Sequence, residues 1–152
     1  MKFVVDAMLG KTARKLRMAG FDAAYLPCAA DGLILDLAER QNRIILTKDA
    51  DLYRRALGRG IVAVLPTGDD TIQHLLEIAC ALNLGAVRID PGRSRCSKCN
   101  GSLQNANSLH PGHKTPARRC VSCGKLYWHG SHIDNLQLMV SERQKQMLGC
   151  SN

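Results

Sequence analysis

Two Cys-x-x-Cys pairs, Cys96-Ser97-Lys98-Cys99 and Cys120-Val121-Ser122-Cys123, lie twenty residues apart. No other feature limits so strongly what this chain can fold into. Two such knuckles can bring four thiolates to one tetrahedral Zn²⁺, at Zn–S distances of about 2.3 Å. Four thiolates fill the coordination sphere, so a site of this kind is closed and structural. The surrounding module, about forty residues long, has few large apolar groups (Leu103, Leu109, Leu126, Tyr127, Trp128) and needs the metal to fold. His110, His113, His129 and His132 could enter a different ligand set, but four thiolates need none of them. Cys28, Cys80 and Cys150 read as plain thiols.

The N-terminal part has a different pattern. Short apolar runs alternate with helical ones: a strand at Lys2–Val5, a helix at Leu9–Ala19, a strand at Phe21–Leu26 and a helix from Asp31, its expected N-cap, to Asn42. A strand at Ile44–Thr47, a helix at Asp51–Leu57, a strand at Ile61–Leu65 and a helix from Thr71 to Leu84 follow. Strand and helix alternate four times, which predicts an α/β fold with a doubly wound, Rossmann-like parallel sheet. Ile44-Ile45-Leu46 is a continuous apolar run, as expected for a strand covered on both faces. The domain boundaries expected from these patterns are an α/β domain at 1–88, a ribbon at 93–132 and a terminal helix or tail at 133–152. Ile89-Asp90-Pro91-Gly92 serves as the linker.

The chain carries a formal charge of +8. From Arg93 onward it has nine of the 21 basic side chains and only two of the 13 acids. That distribution favours a polyanionic partner for the C-terminal portion. Aromatic residues make up 4% of the chain, which argues against broad base-stacking platforms. Met1-Lys2-Phe3-Val4-Val5 runs at once into Asp6, too short for a secretion signal, and no apolar run reaches the ~18 residues of a membrane span. A cytoplasmic protein is expected.

Ligands of open α/β sheets bind beyond the carboxyl ends of the strands. In the common strand order 2-1-3-4, Asp6 after the first strand and Asp49 after the third face each other, and Asp31 reaches the same edge. Asp51 joins them as an outer acid. Converging carboxylates repel one another without a divalent cation, and hard oxygen ligands suit Mg²⁺ or Mn²⁺. Asp49 also suits a helix N-cap, and capping through one oxygen is compatible with metal binding through the other. Lys11, Arg14 and Lys15 share a helix face near this edge, positioned either to neutralise phosphates or to remain an ordinary solvated face. A receiver-like signalling domain fits less well, because Asp6 is not part of an acidic pair.

With these residues assembled, the chain resembles the Mut-seven C-terminal (Mut7-C) RNase family, a PIN-like nuclease domain followed by a zinc ribbon. The matching segments are Val5-Asp6-Ala7-Met8-Leu9-Gly10-Lys11, Leu16-Arg17-Met18-Ala19-Gly20-Phe21-Asp22 and Ile45-Leu46-Thr47-Lys48-Asp49. In the ribbon they are Arg95-Cys96, Cys99-Asn100, Cys120, Cys123 and Tyr127-Trp128-His129-Gly130-Ser131-His132. The resemblance implies Mg²⁺- or Mn²⁺-dependent hydrolysis of RNA, with Asp6 and Asp49 as leading metal ligands, Asp31 as a third and Asp51 as a weaker fourth. It implies a structural zinc on Cys96, Cys99, Cys120 and Cys123. Lys48 stands where such proteins commonly carry Arg, and together with Lys11, Arg14, Lys15, Arg118 and Arg119 it makes the expected RNA-binding set. The alternative is a non-catalytic RNA- or ribosome-binding adaptor.

Overall fold

Phe3, Val4 and Val5 have no solvent-exposed surface, as expected for a strand with a layer packed on each side. A computed structural model describes residues 1–106, 117–128 and 130–149. Strand β1 is Lys2–Val5, followed by a 3₁₀ turn at Ala7–Leu9 and helix α1 at Gly10–Met18. Then come β2 (Asp22–Tyr25), α2 (Asp31–Gln41), β3 (Ile44–Leu46), α3 (Ala50–Gly58), β4 (Ala63–Val64) and α4 (Thr71–Ala81). The sheet is parallel, in the order β2-β1-β3-β4. This is the α/β architecture expected from the sequence, including its strand order.

Alternate side chains along each strand feed two separate cores. Phe3, Val5 and Leu46 pack with Leu9 of the 3₁₀ turn, with Ala13 and Leu16 of α1 and with the apolar stripe of α4. Val4 and Ile45 pack on the opposite face with Ile34, Leu35 and Ala38 of α2 and with Leu52 and Ala56 of α3. Phe3 and Phe21 meet edge to face, with ring centroids 5.5 Å apart.

Local differences from the sequence expectation have simple causes. Ala30, not Asp31, occupies the N-cap position of α2; Asp31 lies in the first turn, where its charge still favours the helix N-terminus. Helix α4 stops at Ala81 instead of Leu84, because Asn83 has a positive φ of 51°. Strand β4 contains only Ala63–Val64, although Val62 still accepts a hydrogen bond from the Ile45 amide.

The C-terminal portion forms an antiparallel three-stranded sheet of β5 (Leu103–Asn105), β6 (Arg118–Cys120) and β7 (Leu126–Tyr127), then helix α5 (Ser131–Gly149). Leu136 and Val140 of α5 enter the first core, so this helix closes over α4 and completes the α/β layer. No helix among the described residues is long and apolar enough to cross a membrane. His110, His113, His129, Lys114 and Cys150 lie outside the described residues.

A set of polar contacts fastens the first knuckle to the edge of β2. Arg17 is buried; its Nε donates to the Ala23 carbonyl at 2.8 Å, and its Nη1 donates to the Ser97 and Lys98 carbonyls at 3.0 and 3.2 Å. Asn100, with φ of 68°, accepts from the Ala23 amide through Oδ1 and donates from Nδ2 to Asp22 at 2.8 Å. Asp22 also receives Arg43 Nη1 at 2.8 Å. Burial alone pushes the Asp22 carboxyl up, but the bonds from Arg43 and Asn100 outweigh it and hold its pKa below the ordinary value. The stability linked to this group is therefore fully present above the unfolded pKa of about 3.9 and is lost as pH falls through the lower folded value. Asp22→Asn is expected to flatten the acid limb of stability below about pH 4. Urea melts at stepped pH would show it; parallel acid limbs for the two proteins would refute the assignment.

Candidate active site and metal centre

The carboxyl edge of the sheet carries the two acids that follow β1 and β3. These strands pair directly, and the Asp6 amide continues the ladder by donating to the Leu46 carbonyl at 3.0 Å. Thr47, fully buried, links the acids: its hydroxyl donates to Asp6 Oδ2 at 2.8 Å and accepts from the Asp49 amide at 2.9 Å. Asp6 Oδ1 accepts from the Ala7 amide at 2.5 Å. Asp49 caps α3, with Oδ1 accepting from the Asp51 and Leu52 amides at 2.6 and 3.2 Å. Both cap bonds use Oδ1, so the cap leaves Oδ2 for a ligand.

The other acids of this edge are engaged elsewhere. Asp31 pairs with Arg55 of α3 at 2.8 Å, and Asp51 pairs with Arg54 at 2.8 Å in an exposed i,i+3 contact. Asp70 caps α4 and receives Arg143 of α5; the Gln73 amide and the Arg143 side chain lower its pKa. Among the described residues, only the four cysteines form a group of three or more side chains close enough to share an ion.

A cavity of about 740 Å³ is lined by Ala7 and Lys48, the chain neighbours of Asp6 and Asp49, although neither of those two acids lines it. Lys11, Arg14 and Lys48 line it, together with Tyr25 and Asp69. The cationic face of α1 is divided: Lys11 and Arg14 are exposed along the cavity, whereas burial lowers the pKa of Lys15. Lys48 Nζ donates to the Gly68 carbonyl at 2.9 Å, which ties this cation to the loop after β4. The same carbonyl lies 2.8 Å from His74 Nε2, and His74 Nδ1 lies 2.8 Å from Thr12 Oγ1. Because a carbonyl only accepts, Nε2 carries a proton, and in the neutral ring Nδ1 accepts from Thr12.

His74 was not marked by the sequence reading. Its signal was a titratable residue between Ile72 and Leu75, within the buried stripe of α4. Arg17 left a similar trace, four residues after buried Ala13 and off the cationic face.

The four cysteine sulfurs lie within 4.8 Å of one another. Cys96 and Cys123 are 3.5 Å apart, as are Cys99 and Cys120. A tetrahedron with ~2.3 Å bonds has edges of about 3.8 Å, so the cluster has the dimensions to hold a metal such as zinc. Gly101 is required beside it, because a Cβ there would lie 2.6 Å from Ser122 Oγ and 2.9 Å from Cys120 Sγ. Burial pushes the Cys96 thiol up, but bonds with the Tyr127 hydroxyl and the Cys99 amide bring it down to about 6. Cys99 receives the Gly101 amide, yet burial and its thiol neighbours push it up to about 12. Thiols this close resist joint deprotonation, and a cation shared among them relieves that resistance.

A family model for the Mut7-C RNAse domain matches residues 1–140. The chain belongs to that family. No curated protein matches it. This is the family that the sequence motifs resemble, and its description places the chain among nuclease-type hydrolases.

Arg118 and Arg119 differ in their surroundings. Arg119 is exposed, whereas Arg118 donates through Nη1 to the Pro91 carbonyl and through Nη2 to the Leu103 carbonyl. Metal analysis of the purified protein is expected to give one zinc per chain. Its chelation, or Cys96→Ser, is expected to lower the thermal midpoint by roughly 10 °C or more. A protein that melts unchanged after complete metal removal would contradict a structural role for the cluster.

Proposed function

We propose that this protein hydrolyses RNA phosphodiester bonds in a Mg²⁺- or Mn²⁺-dependent reaction at the Asp6–Thr47–Asp49 edge, in the cytoplasm. The supporting observation is the pairing of β1 with β3, which brings two carboxylates to adjacent strand ends, with one Asp49 oxygen beyond the helix cap. Mg²⁺ is commonly held by one or two carboxylates and keeps several waters, so two aspartates suffice as protein ligands. When bound, such an ion polarises a phosphodiester and makes its water a nucleophile near neutral pH.

The chain's own groups do the rest. Asp6 and Asp49 supply the negative charge that holds the ion, and Thr47 fixes the spacing between them. Lys11 and Arg14, on the wall of the cavity that Ala7 and Lys48 also line, neutralise the RNA backbone and orient the scissile phosphate. Lys48, held by Gly68, places a cation directly before Asp49. Asp31 and Asp51, paired with arginines in this structure, serve as outer acids that shift inward only if those pairs open. Zinc on the four cysteines stabilises the ribbon, and exposed Arg119 extends the cationic surface for RNA.

A non-catalytic RNA- or ribosome-binding adaptor is the second reading. It draws on the absence, among the described residues, of a third acid within reach of a shared ion at this edge. The two readings separate on purified protein given single-stranded and hairpin RNA with Mg²⁺ or Mn²⁺. The nuclease reading predicts divalent-dependent cleavage, lost in Asp49→Asn, and a roughly 10- to 100-fold fall in Thr47→Val, as for partners that orient a metal ligand. Salt-sensitive binding with no divalent-dependent product under any condition would favour the adaptor.

A further inference from the structure

A second cavity, of about 400 Å³, lies where the linker, the ribbon and the start of α5 meet. It shares no lining residue with the cavity lined by Ala7 and Lys48. Leu103 and Ile133 contribute apolar surface, Tyr127 and Trp128 contribute aromatic rings, and Arg95 and Arg118 contribute cations. Among the described residues, no carboxylate lines it. Arg118 spends both Nη groups on carbonyls, but its Nε is buried and has no acceptor among the described residues. Those bonds fix the guanidinium in place, so its charge stands at the cavity wall.

These features together define the occupant. Aromatic and aliphatic walls favour a flat apolar face, and the two cations favour a negative charge. A nucleobase with its phosphate meets both requirements. The volume lies near the lower end of the 300–1,000 Å³ typical of small-molecule sites, roughly the room for one nucleotide and too little for a duplex.

We propose that this cavity takes one unstacked nucleobase of single-stranded RNA, with its phosphate on Arg95. The proposal rests on RNA being the substrate. It makes the junction between ribbon and sheet a second, separate holding point for the strand. Bases must be splayed out to enter, so single strands are favoured over duplex.

Trp128 is the only tryptophan of the chain and lines the cavity, so its emission reports occupancy directly. The zinc-loaded full chain is titrated with AMP, GMP, CMP and UMP without added Mg²⁺ or Mn²⁺, with ribose 5-phosphate as the base-free control. Trp128 is excited at the red edge of its absorption, where nucleotides do not absorb. The expected result is a saturable change with at least one nucleotide, little with ribose 5-phosphate, and about tenfold weaker binding in Arg95→Ala. If that variant loses zinc, Arg95→Lys, which keeps the charge but not the fork, is expected to bind with intermediate strength.

No saturable change with any nucleotide, or an equal change with ribose 5-phosphate, would overturn the proposal. So would an emission change that follows protein concentration alone, because a second copy of the chain would then be the occupant. A protein that cuts RNA but shows no nucleotide response refutes this site and leaves the cleavage reading standing. The reverse result refutes cleavage and leaves the site.

Discussion

Strands β1 and β3 pair in parallel at the centre of the sheet, and each runs into an acid or a residue that holds one. Parallel pairing puts both carboxyl ends on one edge, so Asp6 and Asp49 follow adjacent strand ends without any long-range device beyond the ladder itself. Thr47 then fixes the local geometry, because its hydroxyl donates to one acid and accepts from the backbone of the other. Its complete burial keeps water from competing for either bond. The cap on α3 holds Asp49 still while using only one of its oxygens. Rigid scaffolding of this kind is what places a ligand accurately.

The ribbon depends on the same scaffold. Arg17 extends from α1 to two carbonyls of the first knuckle, and Asn100 inserts beside β2, so the cysteine cluster is fastened to the sheet edge by part-buried polar bonds. Helix α5 closes the arrangement through Leu136 and Val140 in the core and through Arg143 on Asp70. Disruption of the knuckle therefore releases more than a small appendage, because its carbonyls are acceptors for a buried guanidinium.

Much of this was legible in the sequence, for physical reasons. Apolar runs of period two and stripes of period 3.6 report burial directly, and parallel pairing follows from connections of helix length, whereas the strand order was only the common one assumed. The four cysteines were legible because knuckle spacing is itself the ligand geometry. Illegible were the contacts that join distant segments: Arg17 to Ser97, Asp22 to Asn100, Thr12 to His74. A buried Arg or His leaves only an interruption in an apolar stripe, and its partner is a backbone group with no sequence mark. The same limit applies to Asp31, whose partner Arg55 lies on α3, whereas Asp51 and Arg54 form an i,i+3 pair within one helix.

The central claim is that Asp6 and Asp49 together hold the ion that supports cleavage. A crystal of the protein soaked in Mn²⁺ and measured at the manganese absorption edge tests this directly. The account predicts an anomalous peak between the Asp6 and Asp49 carboxylates, with water completing the sphere and the four cysteines keeping their own metal. A fully soaked crystal with no manganese at that edge, or with manganese bound only by other acids such as Asp31 or Asp69, would contradict it.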